Sequence, residues 1–300
     1  MVVIAFYSFF EIKNLNNIKN DIHNFFEKIK IKGKILIGPE GLNGTIAVND
    51  IDRHETIDFI KKIGVQKKNI KLSNFDGKTF FKKFKIHIKE EIVTSDFNLT
   101  IDEIKKGQFI NPKKWEEFIT QDNVIILDTR NDYEFKIGHF KKAINPGIKT
   151  FREFKSYIED NKLRFKNKKV AIYCTGGIRC EKAGPLMQKN GIDTYQLKGG
   201  ILKYFEQTNS KLWNGECFVF DNRISVKHKL ETGKFSMCSG CRKPISLKDK
   251  KSKRYEEGVS CPNCHDNLTE TQKARFRMRQ KQINLAKKSG SKHIFQKEFK

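Results

Sequence analysis

Val170-Ala-Ile-Tyr-Cys-Thr-Gly-Gly-Ile-Arg-Cys-Glu-Lys-Ala183 decides how the chain is read. Val170 to Tyr173 is a short apolar, β-branched run, the pattern of a buried strand. Glu181 to Lys189 has the pattern of a helix closed by Asn190-Gly191. Between them lies a tight turn, Cys174-Thr-Gly-Gly-Ile-Arg179, whose paired glycines free the backbone to take positive φ. The amides of Thr175, Gly176, Gly177 and Ile178 can then point inward as a nest for an anion, with the positive end of the helix nearby. A cysteine at the mouth of such a nest, beside an arginine, is expected to be a thiolate, because these surroundings lower thiol pKa values to roughly 3.5–7.5. A lone cysteine after a strand is more often a core thiol. Strand, cysteine, two glycines, arginine and helix in this order favour a nucleophilic or redox-active Cys174, with Arg179 holding its anion.

Cys174-x-x-Gly177-x-Arg179 resembles the active loop of rhodanese-homology domains. The longer run from Tyr173 to Ala183 resembles one branch of them, the rhodanese-containing tRNA uridine(34) hydroxylases. Four residues separate Cys174 from Arg179, one fewer than in the related cradle of cysteine phosphatases. The smaller bowl suits a sulfur or oxygen atom on the thiol and disfavours phosphatase chemistry. Asp128-Thr-Arg130 follows Val124-Ile-Ile-Leu127, a continuous apolar run typical of a central parallel strand. Asp128 through Pro146 resembles the rhodanese entry strand and loop, and Tyr195 to Ile201 its last strand and turn. Asp128 and Arg130 are expected to pair locally, with tuning of the loop as the alternative. Glu134 and His139 are expected to be structural. Cys180 either faces Cys174, where it could resolve an oxidised sulfur as a disulfide, or points into the core.

Upstream, a strand (Val2 to Phe9), a helix, two strands around Pro39 to Asn43, a second helix from Asp52 to Ile63 and a last strand at Phe84 to Lys89 give the order βαββαβ. That is the order of a ferredoxin-like fold. Gly38 to Thr45 resembles the corresponding turn of the same hydroxylases, and its glycines are read as making the turn. Residues 96–109 read as a polar connector. The expected class is α/β, with a ferredoxin-like α+β domain over 1–95, a rhodanese-like parallel α/β domain over 110–215, and a small four-cysteine, zinc-type region with a basic helical tail over 216–300.

Seven cysteines, four of them in two C-x-x-C pairs, fit a metal site rather than a disulfide framework, so the cytosol is the expected compartment. Cys238, Cys241, Cys261 and Cys264, with 19 residues between the pairs, have the spacing of a structural zinc site. The chain of 300 residues has a net charge of +25, which favours a polyanionic partner, nucleic acid before membrane. Lysine-rich composition can also follow from genome base composition. Thr271 to Lys300 holds ten Lys or Arg and one acid, Glu298. No apolar run is long enough to span a membrane, and the apolar N-terminus reads as a strand rather than a signal peptide.

The resemblance implies oxygen-dependent hydroxylation of uridine 34 in tRNA to 5-hydroxyuridine, with molecular oxygen as co-substrate and Cys174 carrying the chemistry. No flavin, nicotinamide or iron motif is legible, nor an electron donor or protein partner. The alternatives are a sulfurtransferase passing a persulfide sulfur from Cys174, and an RNA-binding module on a vestigial scaffold. An intact Cys174 and Arg179 count against the last.

Overall fold

The computed structural model describes residues 1–74, 81 and 83–290. They form two compact units, one of Met1–Asp221 with Lys227–Glu231, the other of Asn222–Val226 and the chain from Thr232 on.

The first unit begins with β1 (Val2–Phe9), α1 (Leu15–Glu27), β2 (Lys32–Gly38), β3 (Gly41–Val48), α2 (Arg53–Lys62), β4 (Ile70–Asn74) and β5 (Phe84–Ile88). Asn14 starts α1 by accepting from the Asn17 amide at 3.0 Å, and the apolar face bearing Ile22 and Phe26 follows at helical spacing. Asp52 occupies the N-cap position of α2 but makes no side-chain cap bond. The sheet order is β4-β1-β3-β2-β5. The first four strands are antiparallel neighbours in the ferredoxin-like order, whereas β5 is an addition parallel to β2. The strand that completes βαββαβ is therefore β4, and the Phe84 strand read as last is a fifth. The Ile70-Lys-Leu-Ser run alternates apolar and polar residues but is too short to stand out in the sequence, and its pairing with β1 defines the strand.

The continuous apolar character of β1 has a physical reason. Val2, Ile4 and Phe6 pack on α1 and α2 with Ile22, Phe26, Ile35, Ile46 and Ile60. Tyr7 and Phe9 point the other way and pack with Ile92, Ile104 and Ile178. Strand alternation thus gives one face to the local core and the other to the rhodanese-like part.

That part runs α3 (Ile101–Lys105), β6 (Gln108–Ile110), α4 (Pro112–Ile119), β7 (Val124–Asp128), α5 (Asp132–Phe135), β8 (Gly138–Phe140), α6 (Phe154–Asn161), β9 (Lys169–Tyr173), α7 (Ile178–Lys189), β10 (Asp193–Leu197), α8 (Gly200–Gln207) and β11 (Trp213–Gly215). The parallel sheet has the order β6-β10-β9-β7. The connector expected over 96–109 instead holds α3, closed by a Thr100–Glu103 capping box, and the edge strand β6. One side of the sheet packs Leu127, Val170 and Ile172 against Phe154, Ile158 and Phe165. On the other, β8 pairs with β11 and sets Phe140 opposite Trp213, with Tyr173 and Tyr204 in edge-on contact with Phe140.

The second unit holds a two-residue hairpin, Ser236–Met237 with Pro244–Ile245, then α9 (Leu247–Lys250) and α10 (Glu270–Lys288). The last part of the basic tail, 291–300, lies outside the described residues. Among the described residues no helix is long and apolar enough to cross a membrane.

Candidate active site

Cys174 leaves the carboxyl end of β9, beside the end of β7, where open parallel sheets carry their ligand sites. The turn is clasped from one side by α8, whose Ile201 and Leu202 amides donate to the Cys174 and Thr175 carbonyls at 3.0 and 3.1 Å. This close approach requires glycine. A Cβ on Gly200 (φ 69°) would lie 2.6 Å from the Cys174 carbonyl oxygen. Thr175 donates its hydroxyl to the Phe218 carbonyl at 3.2 Å, and Lys71 of β4 donates to the Gly176 carbonyl.

Gly177 takes φ 104° and α7 begins at Ile178, three residues earlier than expected. Arg179 and Cys180 therefore lie in the first helical turn, which brings the positive end of the helix to the thiol. Of the four predicted loop amides, Gly177 donates to the Cys174 Sγ at 3.1 Å. The early helix start is hidden in the sequence because Ile178 and Cys180 are weak helix formers behind two glycines.

Burial raises the Cys174 thiol, but hydrogen bonding from the Cys180 thiol, the charge of Arg179 and the Cys180 and Gly177 amides outweigh it and bring the pKa to about 6. Cys180 shifts the opposite way, raised by burial and by the anion it faces. The two sulfurs are thus driven apart, Cys174 toward the thiolate and Cys180 toward the thiol. Thr129 sits 3.6 Å from the Cys180 sulfur. A third thiol of this unit, Cys217, is pushed up to about 12 by burial. Cys174 is only 1% exposed, so its anion is stabilised by protein donors rather than by water.

Arg179 does not point freely at the sulfur. Its guanidinium is held by Glu134 at 2.8 and 3.0 Å and lies over the Phe220 ring, acting on the thiol through its charge. Glu134, expected to be only structural, both accepts from the Asn131 amide at the start of α5 at 3.2 Å and fixes this arginine. Asp128 and Arg130 form a bidentate pair at 0% exposure. Arg130 also donates to the Gly138 carbonyl and lies over the Tyr173 and Trp213 rings, 5.5 and 5.3 Å from their centroids. That pair braces the sheet end. His139 is held locally, with Nδ1 at 3.0 Å from the Phe135 carbonyl.

Three partners of the loop come from outside the rhodanese-like part and are not apparent in the sequence. Tyr7 of β1 donates to Glu181 at 2.6 Å, and its hydroxyl would lie 2.7 Å from a Cβ on Gly177. Lys71 of β4 is lowered to about 8, chiefly by burial, although the Cys174 anion opposes that shift. Glu40, at the tip of the β2–β3 hairpin, pairs with Lys182 of α7 at 2.8 Å. Lys182, 2% exposed, also pairs with Glu91 at 2.7 Å. Glu40 and Asn43 further bind the Ile92 amide and carbonyl. The Gly38 to Thr45 turn, read as merely making a hairpin, is thus a clamp on the helix that follows the Cys174 loop.

In the second unit, Cys238, Cys241, Cys261 and Cys264 come together with all four sulfurs within 4.8 Å of one another. The separations 238–264, 241–261 and 261–264 are 3.9, 3.7 and 3.8 Å. Sulfurs about 2.3 Å from a tetrahedral ion would be about 3.8 Å apart, so the cluster could bind a metal and leaves no open position. Arg279 of α10 donates to the Ser239 and Gly258 carbonyls at 3.1 and 2.9 Å, docking the basic helix on the first knuckle and on the segment that leads into the second.

Residues 1–92 match the UPF0176 acylphosphatase like domain, and residues 111–207 the Rhodanese-like domain. A rhodanese-like domain protein from Staphylococcus aureus is similar over 35% of this chain and 95% of its own, at 26% identity and a TM-score of 0.28. A tRNA uridine(34) hydroxylase of Teredinibacter turnerae is 41% identical over 98% of this chain and 92% of its own. The protein of that name from Pelagibacter ubique (strain HTCC1062) is 54% identical over 99% of both chains. Identity of this extent, spanning the thiol loop, the hairpin clamp and the cysteine knuckles alike, means that the chain belongs to the tRNA uridine(34) hydroxylase family.

Proposed function

We propose that this protein hydroxylates the wobble uridine of tRNA, position 34, to 5-hydroxyuridine with molecular oxygen as co-substrate, and that Cys174 is its catalytic thiolate. The observation that carries the reading is the Cys174 loop itself. A thiol brought to about 6 is ionised at neutral pH and nucleophilic, in a chain 54% identical to a hydroxylase throughout its length. Arg179 supplies charge, the Gly177 amide supplies a hydrogen bond, and Cys180 serves as the protonated partner that can close a disulfide on an oxidised Cys174. Asp128 and Arg130 support the sheet end on which the loop is built.

Zinc is the ion that suits four thiolates at these separations. Its role is structural, holding the two knuckles so that α10 presents its basic side chains to the RNA backbone. A tRNA substrate also fits a cytoplasmic location and the net charge of +25.

The test is mass spectrometry of tRNA from cells lacking the protein and from cells complemented with the wild type or Cys174→Ala. Position 34 should carry 5-hydroxyuridine only with the wild type. Intact 5-hydroxyuridine together with missing thiolation would replace this reading with sulfur transfer.

A further inference from the structure

Beside the Cys174 loop the first unit contains an open cavity of about 390 Å³, within the size range of small-ligand sites. Its walls come from both sheets, with Phe9 on β1, Lys71 on β4 and Phe109 on β6, and from Gly199 in the turn that clasps the loop. Five lysines line it, Lys68, Lys71, Lys105, Lys198 and Lys203, against one carboxylate, Glu181. That carboxylate already accepts the Tyr7 hydroxyl at 2.6 Å. A surplus of this kind selects an anion. The inner end adjoins the reactive loop, because Lys71 reaches the Gly176 carbonyl.

Phe109 distinguishes among anions. It lies on the short edge strand of the parallel sheet and is 44% exposed. An aromatic face left in water beside lysines suits an unpaired base, which stacks on the ring while ammonium groups take the neighbouring phosphates. Inorganic phosphate would use the lysines and leave the ring idle. A paired stem is too wide for a cavity of this volume.

We propose that this cavity, formed jointly by the ferredoxin-like and rhodanese-like parts, receives the unstacked wobble nucleotide of a tRNA anticodon loop, its base on Phe109 and its phosphates on the surrounding lysines. The inference rests on the hydroxylase reading for the identity of the nucleotide. It assigns the first sheet a share in forming the substrate site.

The test compares two short anticodon hairpins, one with uridine at the wobble position and one abasic there, bound to the full chain carrying Cys174→Ala so that no turnover intervenes. The abasic hairpin should bind on the order of tenfold more weakly, as expected for one stacking contact. Phe109→Ala should bind the uridine hairpin as weakly as the abasic one and no longer tell them apart. Lys198→Ala, a change at an exposed side chain, should weaken both hairpins alike and reduce the salt slope by about 0.7. If the Phe109→Ala variant fails to fold, Phe109→Leu, which keeps bulk and removes the ring, takes its place. Equal binding of the two hairpins, or a folded Phe109 variant that keeps the discrimination, overturns the proposal. Discrimination without any 5-hydroxyuridine from wild-type protein would instead count against the hydroxylase reading alone.

Discussion

Cys174 and Cys180 sit among a peptide amide, a helix terminus and an arginine, whereas Cys238, Cys241, Cys261 and Cys264 face chiefly one another. In the first region one sulfur is made anionic by protein donors, and a second keeps its proton to serve as one of them. In the second, four sulfurs 3.7–3.9 Å apart where measured could not all ionise without a cation to offset their repulsion. On the reading proposed above, the same residue type is reactive where the backbone neutralises its charge, and inert where a bound ion does. What separates the two is local geometry. A strand-to-helix turn directs amides at a single sulfur, while two C-x-x-C turns direct paired sulfurs at a common point.

Removing the proposed zinc should break the second region outright. Structural zinc in such sites contributes about 10–16 kcal/mol of apparent free energy at pH 7, so chelation or Cys261→Ala should melt α9 and the docking of α10. Helical circular dichroism should fall, and tRNA binding should lose its tail-dependent salt slope. A metal assay on fresh protein that finds no zinc would remove this half of the contrast.

Loss of the reactive sulfur should act on chemistry and leave the fold alone. Cys174→Ala is expected to lower 5-hydroxyuridine formation at least about a thousandfold, in the range seen when a nucleophile is deleted, with tRNA affinity maintained. Cys180→Ser keeps a proton donor near the thiolate but cannot close a disulfide. It should retain single-turnover activity if Cys180 acts only through its hydrogen bond.

The two buried ion pairs sharpen the account. Truncating one partner of such a pair costs about 3–5 kcal/mol, so Asp128→Ala and Glu134→Ala should both lower the melting temperature. They should differ in reactivity. Arg179 acts directly on the Cys174 thiol, whereas Asp128 acts on its neighbour Cys180, so Glu134→Ala should disturb the Cys174 pH profile more than Asp128→Ala does. The smallest effect belongs to the hairpin clamp. Lys182→Met removes charged hydrogen bonds to Glu40 and Glu91 and should cost about 2 kcal/mol, seen as faster hydrogen exchange along α7.

Much of this is legible in the sequence because it is local. Strand β9, the double glycine, Arg179 and the C-x-x-C spacing each show their chemistry within a few residues. What escapes is tertiary. Strands β4 and β6 are short, five and three residues, and owe their conformation to ladders with β1 and β10 more than to their own pattern. Glu134 reads as structural, and it does accept from the Asn131 amide at the start of α5, but its hold on Arg179 spans 45 residues. Tyr7 and Lys71 reach the loop from a separate sheet, a contact that periodicity cannot reveal. The sequence pattern sets the start of α7 too late because Gly177 and its neighbours suppress the helical signal where the helix terminus matters most.

The central claim is that protein donors hold Cys174 ionised at neutral pH despite its burial. The most direct measurement is the rate of alkylation of Cys174 against pH, followed by mass-resolved peptide mapping with a small reagent and with Cys217 as the internal comparison. The account predicts a Cys174 rate that rises through a midpoint near 6 and is level above it, while Cys217, pushed up to about 12, stays unreactive across neutral pH. A Cys174 midpoint at the ordinary thiol value of about 8.5, or a Cys174 no more reactive than Cys217, would contradict it.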